Sequence, residues 1–290
     1  MVIQSLSIAV PAGCPNKCKF CVAQMHEETY SNQIEKNLRF RDLYKRDYHD
    51  RLAFARDNGC NSLMFTGNGE ALMNKRFMEE VADLNESLDK PFRNLELQTS
   101  GVTLDDETLR WLRNTVKVST ISLSLSSIWS DDVNQAYNQT PDALKVNIEE
   151  LCKEIKRYDF NLRLSLNMTD EYNGVWPGDI FERAKELGAD QVTFRKLYLS
   201  GTDTPQDLWI KEHAVEEKFW RLLTSYVQDA GRKLERLPFG AMRYSVDQMS
   251  TVIDDDCMST VGGKDEIKYL VLRPNCKLYT QWDCKGSLLF

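Results

Sequence analysis

Segments with the two-residue alternation of a strand and segments with helical periodicity follow one another through the first 230 residues. That order constrains the fold more than any other feature of the chain. Residues 5–10 alternate polar and apolar side chains (Ser5, Leu6, Ser7, Ile8, Ala9, Val10) and stop at Pro11, as a strand does. Residues 37–58 set Leu38, Leu43, Leu52 and Phe54 among charges and close at Gly59, which predicts an amphipathic helix. Further strands are predicted at 61–65, 95–98, 118–125, 162–166 and 191–194, with helices at 77–88, 105–113, 142–158, 177–187 and 211–229. Six strand-then-helix units imply an α/β fold with a parallel sheet and right-handed crossovers. They are too few for a full eight-fold barrel and suit an open, partial (β/α)6 TIM-like barrel. The chemistry of such sheets sits on the loops after the C-terminal ends of the strands.

Residues 231–290 break the pattern. They are loop-rich, hold Cys257, Cys276 and Cys284, and contain a strand-like stretch at 267–272. They are expected to form a C-terminal cap packed on a core of residues 1–230. The composition, 42% hydrophobic and 28% charged over 290 residues, is that of a globular protein. No apolar run approaches the ~18 residues of a membrane span. The first residues lack the basic and apolar regions of an export signal, so a cytoplasmic, thiol-reducing location is expected. A net charge of −7 argues against non-specific binding to nucleic acid.

Three of the eight cysteines, Cys14, Cys18 and Cys21, form a C-x3-C-x2-C run directly after the first predicted strand. Three thiolates on one loop can converge on a soft metal centre. Spacing alone leaves open a zinc site completed by His26 or an iron–sulfur cluster with a ligand from outside the loop. The placement of the run after the first strand, with Phe20 before the third cysteine, resembles the radical S-adenosylmethionine (radical SAM) superfamily. The resemblance implies a partial barrel and a [4Fe-4S] cluster held by Cys14, Cys18 and Cys21. Its fourth iron would be chelated by S-adenosyl-L-methionine, which the reduced cluster cleaves to a hydrogen-abstracting 5′-deoxyadenosyl radical. It also implies an external electron donor of flavodoxin or ferredoxin type.

Other positions follow from the same likeness. Gly67, Asn68, Gly69 and Glu70, after the second strand, stand where the family carries a Gly-Gly-Glu motif that holds the amino group of S-adenosylmethionine. Glycines there let a backbone come close to a ligand. Thr99 ends the third strand in Gln-Thr-Ser-Gly, and Ser124, near the end of the fourth, would bind the ribose hydroxyls. Arg163 and Asn167 share one face of the fifth strand and are candidates for the carboxylate and adenosine. Arg195 and Lys196 follow the sixth strand and suit an anionic group, with Leu197 a wall for adenine. Phe20 completes the cofactor-binding set. His26 is near enough to support the cysteines, and Cys60 and Cys152 read as buried structural residues.

These features predict a radical SAM enzyme acting on a small anionic substrate, a nucleotide among the candidates, because Arg195, Lys196, Arg232, Lys233, Arg236 and Arg243 can gather at the open face. A peptide or protein substrate is the alternative within the same superfamily. A non-catalytic iron–sulfur or zinc protein is the alternative outside it. Tyr244, Tyr279 and Cys276 are conceivable donors to a product radical.

Overall fold

The computed structural model describes residues 2–25, 45–237, 240–255, 266–282 and 285–289. His26, Cys257, Cys284 and residues 37–44 of the helix expected at 37–58 lie outside the described residues. In chain order the first elements are β1 (Val2–Ala9), α1 (Val22–Met25), α2 (Lys45–Asp57), β2 (Ser62–Thr66), α3 (Lys75–Glu86) and β3 (Asn94–Thr99). There follow α4 (Asp106–Trp111), β4 (Thr120–Leu125), α5 (Asp131–Asn138), α6 (Ile148–Arg157), β5 (Asn161–Asn167), α7 (Pro177–Glu186) and β6 (Gln191–Arg195). The chain continues through α8 (Pro205–His213), α9 (Glu217–Ala230), β7 (Arg232–Arg236), β8 (Met242–Val246), β9 (Met249–Asp254), β10 (Glu266–Leu272) and β11 (Leu278–Tyr279).

One sheet takes all eleven strands, in the order β11-β10-β1-β2-β3-β4-β5-β6-β9-β8-β7. The stretch from β10 to β9 is parallel throughout, and the sheet is not closed. The predicted partial barrel is thus present. Residues 231–290, expected as a cap, enter the sheet itself at both edges. β9 pairs parallel with β6, and β8 and β7 follow it antiparallel. β10 pairs parallel with β1 at the other edge. The β8–β9 hairpin turns through Asp247 and Gln248, both at positive φ, as the twist of a two-residue turn requires.

Local signals explain where the helices differ from expectation. The helix expected over 142–158 begins only at Ile148, where Asn147 caps it by accepting the Glu150 N–H, and a separate α5 precedes it, capped by Ser130. The long helix expected over 211–229 is split into α8 and α9. At the break Ala214 bridges to Thr169, and the Val215 N–H donates to the Met168 carbonyl. The chain leaves the helix there to extend past the end of β5.

Strand alternation divides the barrel into two environments. Leu63 and Phe65, Ile121 and Leu123, Leu164 and Leu166, and Phe194 are fully buried in the main hydrophobic core. Alternate residues (Ser5, Ser7, Met64, Gln98, Arg163, Thr193) line an interior cavity of about 360 Å³. Small and polar side chains on that face leave room where a packed barrel would be filled by branched apolar residues.

Candidate functional site

The cysteine loop is fixed at both ends. Before it, the Val10 N–H donates to the Thr66 carbonyl. Within it, the N–H groups of Lys17 and Lys19 donate to the carbonyls of Asn138 and Tyr137 at the end of α5. The Cys21 N–H closes a turn on the Cys18 carbonyl, and α1 starts at the next residue. Phe20 leaves the loop sideways and packs on Trp209 of α8, their centroids 5.9 Å apart. Trp209 also stacks on His213 and meets Tyr137 edge-on, and both of those side chains hydrogen-bond Asp170.

The glycine-rich turn after β2 sits directly on this loop. A Cβ at Gly69 would stand 2.2 Å from the Ala12 carbonyl oxygen and 2.5 Å from that of Gly13. At Gly67, whose φ is +153°, it would stand 2.7 Å from the Val10 oxygen. Both positions need glycine because two backbones meet there. The Glu70 N–H donates to the Gly13 carbonyl, while Glu70 Oε2 accepts from the backbone N–H and hydroxyl of Ser100. Glu70 is 4% exposed, and its Oε1 is buried without a hydrogen-bond partner. Burial is the largest influence on its carboxyl and pushes the pKa up, against the Ser100 and Thr99 hydrogen bonds.

Burial also raises the thiol pKa of Cys14 and Cys18, and the neighbouring cysteines push Cys18 further in the same direction. The backbone N–H groups of Asn16 and Glu70 oppose this at Cys14 by donating to its sulfur. All six described cysteines are free thiols. Among the described residues no three His, Cys, Asp or Glu side chains gather closely enough to hold a single metal ion. The three thiols of this loop, with amide donors at Cys14 and a buried polar cradle beside them, fit a group that takes one thiolate on each of several irons.

Of the expected cofactor residues, Gly67, Asn68, Arg163 and Arg195 line the cavity beside the loop; Phe20, Gly69, Glu70, Thr99, Ser124, Asn167 and Leu197 do not. The Arg163 guanidinium is already engaged, by Glu96 Oε2 at 2.5 Å and by Gln191 Oε1 at 2.6 Å. Asn167 donates to the Ser124 hydroxyl at 3.1 Å, and Thr99 accepts the Gly101 N–H. Leu197 is half-buried beyond the end of β6.

The expected cation pair is divided: Lys196 is tied to Glu217 at 2.8 Å, whereas the Arg195 Nε is buried with no hydrogen-bond partner. Arg243 reaches the cavity wall while paired with Glu235, and Arg232, Lys233 and Arg236 lie on the exposed β7. Cys276 is buried in a left-handed turn, and Tyr244 and Tyr279 are buried. Sequence reasoning missed Glu96, Gln191, Asp254 and Lys268. Strand alternation carried a signal for the first two, which share a face with Gln98 and Thr193.

No curated protein sequence matches this chain. Solved structures do. The protein anSMEcpe with bound AdoMet superposes with a TM-score of 0.60 at 13% identity, over 99% of this chain and 77% of that one. Its complex with AdoMet and a peptide gives 0.51 at 15% identity, and there this chain spans 59% of the neighbour's length. Coproporphyrinogen III oxidase (HemN) from Escherichia coli, described as a radical SAM enzyme, gives 0.50 at 14% identity over 80% of this chain and 54% of its own. The family model of the radical SAM superfamily matches residues 8–171, from β1 past the end of β5. More than half of the chain lies in that match, so it belongs to the radical SAM superfamily, whose enzymes use a [4Fe-4S] cluster and S-adenosylmethionine.

Proposed function

We propose that this chain catalyses reductive cleavage of S-adenosylmethionine and directs the resulting radical at a small anionic substrate, a nucleotide among the candidates, held in the barrel interior. The observation that carries the substrate class is Arg195. It lines the cavity, its Nε is buried without a partner, and it enters no ion pair among the described residues. A cationic guanidinium that lines a cavity without a carboxylate of the protein paired to it offers its outer N–H groups to an anionic oxygen of a ligand.

Cys14, Cys18 and Cys21 would hold the cluster, and Gly67 and Asn68 would face the amino-acid part of S-adenosylmethionine. When bound, the two groups supply one-electron cleavage to methionine and a 5′-deoxyadenosyl radical, using an electron from a flavodoxin- or ferredoxin-type donor. The protein contributes orientation. Glu96 and Gln191 hold Arg163 against the cavity wall, and Ser124 fixes the Asn167 amide. The free thiols are in keeping with a reducing, cytoplasmic setting.

Anaerobic reconstitution tests the reading. Wild-type protein should bind about four irons and release 5′-deoxyadenosine when reduced with dithionite in the presence of S-adenosylmethionine. The triple variant Cys14→Ala/Cys18→Ala/Cys21→Ala should do neither. A variant that keeps its iron would sink the assignment. A peptide substrate is the second reading, favoured by the neighbour solved with AdoMet and a peptide. Stimulation of 5′-deoxyadenosine release by peptides and not by small anions would select it.

A further inference from the structure

An indole is held at the wall of the interior cavity, across the opening of the barrel from Arg195. Trp282 lies just after β11, which pairs with β10, whereas Arg195 ends β6, which pairs with β9. β10 and β9 bound the parallel stretch of the sheet, and Lys268 of one reaches Asp254 of the other at 3.1 Å. Trp282 and Arg195 both line the cavity of about 360 Å³, so they flank one space from its two sides. Trp282 is anchored away from that space. Arg273, fully buried and no part of the cavity wall, donates to the Trp282 carbonyl and sets its guanidinium carbon 5.4 Å from the centroid of the indole. The ring also packs on the cluster of Ala9, Tyr269, Val271 and Tyr279, of which Tyr269 lines the cavity too. Trp282 is nonetheless only half-buried. It is thus an aromatic surface, fixed in place and left partly uncovered, in a cavity whose other walls are mostly polar.

We propose that Trp282 is the surface on which a planar ring of the substrate stacks while Arg195 takes its anionic group, which makes the substrate a heteroaromatic anion of the nucleoside monophosphate class. The inference rests on the anionic-substrate reading above and adds the ring to it. A cavity of this volume falls within the range of sites that enclose small ligands, roughly 300–1,000 Å³. An aromatic side chain already held in place stacks a base with little further ordering. Removing such a side chain costs about tenfold or more in affinity. Trp282, Tyr269 and Arg195 all lie beyond residues 8–171, whereas the cysteine loop, Gly67 and Asn68 lie within them, so the ring is assigned to the substrate and not to S-adenosylmethionine.

The test uses the reconstituted, oxidised full chain with S-adenosylmethionine at saturation, so that the cofactor's own site is filled. Calorimetry measures binding of the common ribonucleoside 5′-monophosphates and of ribose 5-phosphate, which keeps the phosphate and lacks the ring. At least one nucleotide is expected to bind about tenfold or more tighter than ribose 5-phosphate. Trp282→Leu should erase that margin and leave the affinity for ribose 5-phosphate where it was. Trp282→Phe, which keeps a ring, should restore most of it. The same nucleotide should quench tryptophan fluorescence in wild type and quench it less in Trp282→Phe.

If Trp282→Leu loses iron, Trp282→Phe and the wild-type margin decide the matter. Nucleotides that bind no tighter than ribose 5-phosphate, or a margin that survives in iron-replete Trp282→Leu, overturn the proposal and leave Trp282 a wall of the cavity. A separate titration of S-adenosylmethionine that shows its affinity falling in Trp282→Leu also overturns it, in favour of the cofactor's adenine as the ring. Each of these outcomes leaves the anionic-substrate reading standing. That reading fails separately, if Arg195→Gln binds the phosphates as tightly as wild type does.

Discussion

Lys268 of β10 donates from Nζ to Asp254 Oδ1 of β9 at 3.1 Å, so an ion pair joins the two strands that bound the parallel stretch of the sheet. No backbone ladder pairs these strands. Both side chains are nearly buried and border the interior cavity. The open side of the barrel is thus spanned by charge where a closed barrel would have hydrogen-bonded strands.

Removing one partner should therefore be expensive. Lys268→Met leaves Asp254 buried beside a hydrocarbon chain, and breaking a buried pair from one side costs about 3–5 kcal/mol. The double variant Lys268→Met/Asp254→Leu, with neither charge left to desolvate, should regain most of that loss. Urea unfolding of the three proteins measures it. A single variant within about 1 kcal/mol of wild type would show that the seam is held by other contacts.

Gly69→Ala should cost iron before it costs anything else. The added methyl falls onto the carbonyls of Ala12 and Gly13, the two residues ahead of Cys14, and these are backbone atoms that cannot swing aside. Iron content after anaerobic reconstitution should drop well below that of wild type, with overall folding retained. Were the glycine needed only to present a carbonyl to S-adenosylmethionine, the iron would stay and only ligand affinity would fall.

That contrast marks what was legible in the sequence. The C-x3-C-x2-C run and the alternation of strands and helices were readable because each is a local pattern with a local cause. The Gly67 and Gly69 positions were readable, but the partner was not: they let two loops touch, which depends on a contact between β1 and β2 ends far apart in sequence. Phe20 packs on Trp209, 189 positions along the chain from it, a contact that no local pattern announces. β7, β8 and β9 were read as loop because short edge strands such as Arg232–Arg236, exposed along their whole length, have no apolar alternation. Lys268 and Asp254 were invisible too, because their meaning depends on which strands bound the parallel stretch of the sheet.

Acid should weaken the support of the cysteine loop through Asp207. Burial alone would raise this carboxyl, but donors from the backbone and hydroxyls of Ser200 and Thr204 outweigh it and hold the pKa well below the usual carboxylate range. A depressed folded-state pKa contributes stability that is fully present above the ordinary carboxylate value, about 4. The contribution is lost as pH falls below it. Asp207 closes the capping box of α8, and α8 carries Trp209 against Phe20. Asp207→Asn should lower stability at neutral pH and flatten its decline between about pH 4 and pH 2. Denaturation midpoints across that range check it, and parallel curves for variant and wild type would refute the role.

Arg195 should be the residue that distinguishes anionic ligands from neutral ones. Its register partner Asp254 is occupied by Lys268, Lys196 beside it is held by Glu217, and Arg163 is held by Glu96. A carboxylate or phosphate entering the cavity would therefore meet Arg195 without first breaking one of these pairs. Arg195→Gln keeps a hydrogen-bonding group but removes the charge and the fork geometry. Loss of a charge-assisted hydrogen bond costs about 1.5–3 kcal/mol, roughly ten- to a hundred-fold in affinity. Two measurements separate the ligands. Calorimetry of S-adenosylmethionine binding reports whether its carboxylate is the partner, and stimulation of 5′-deoxyadenosine release by small anions reports the substrate. The variant should lose affinity for one of these and keep its iron. Arg195→Lys, with charge but no fork, should fall between. Unchanged affinity for both ligands in Arg195→Gln would show that this guanidinium meets neither ligand, and the anionic substrate class would go with it.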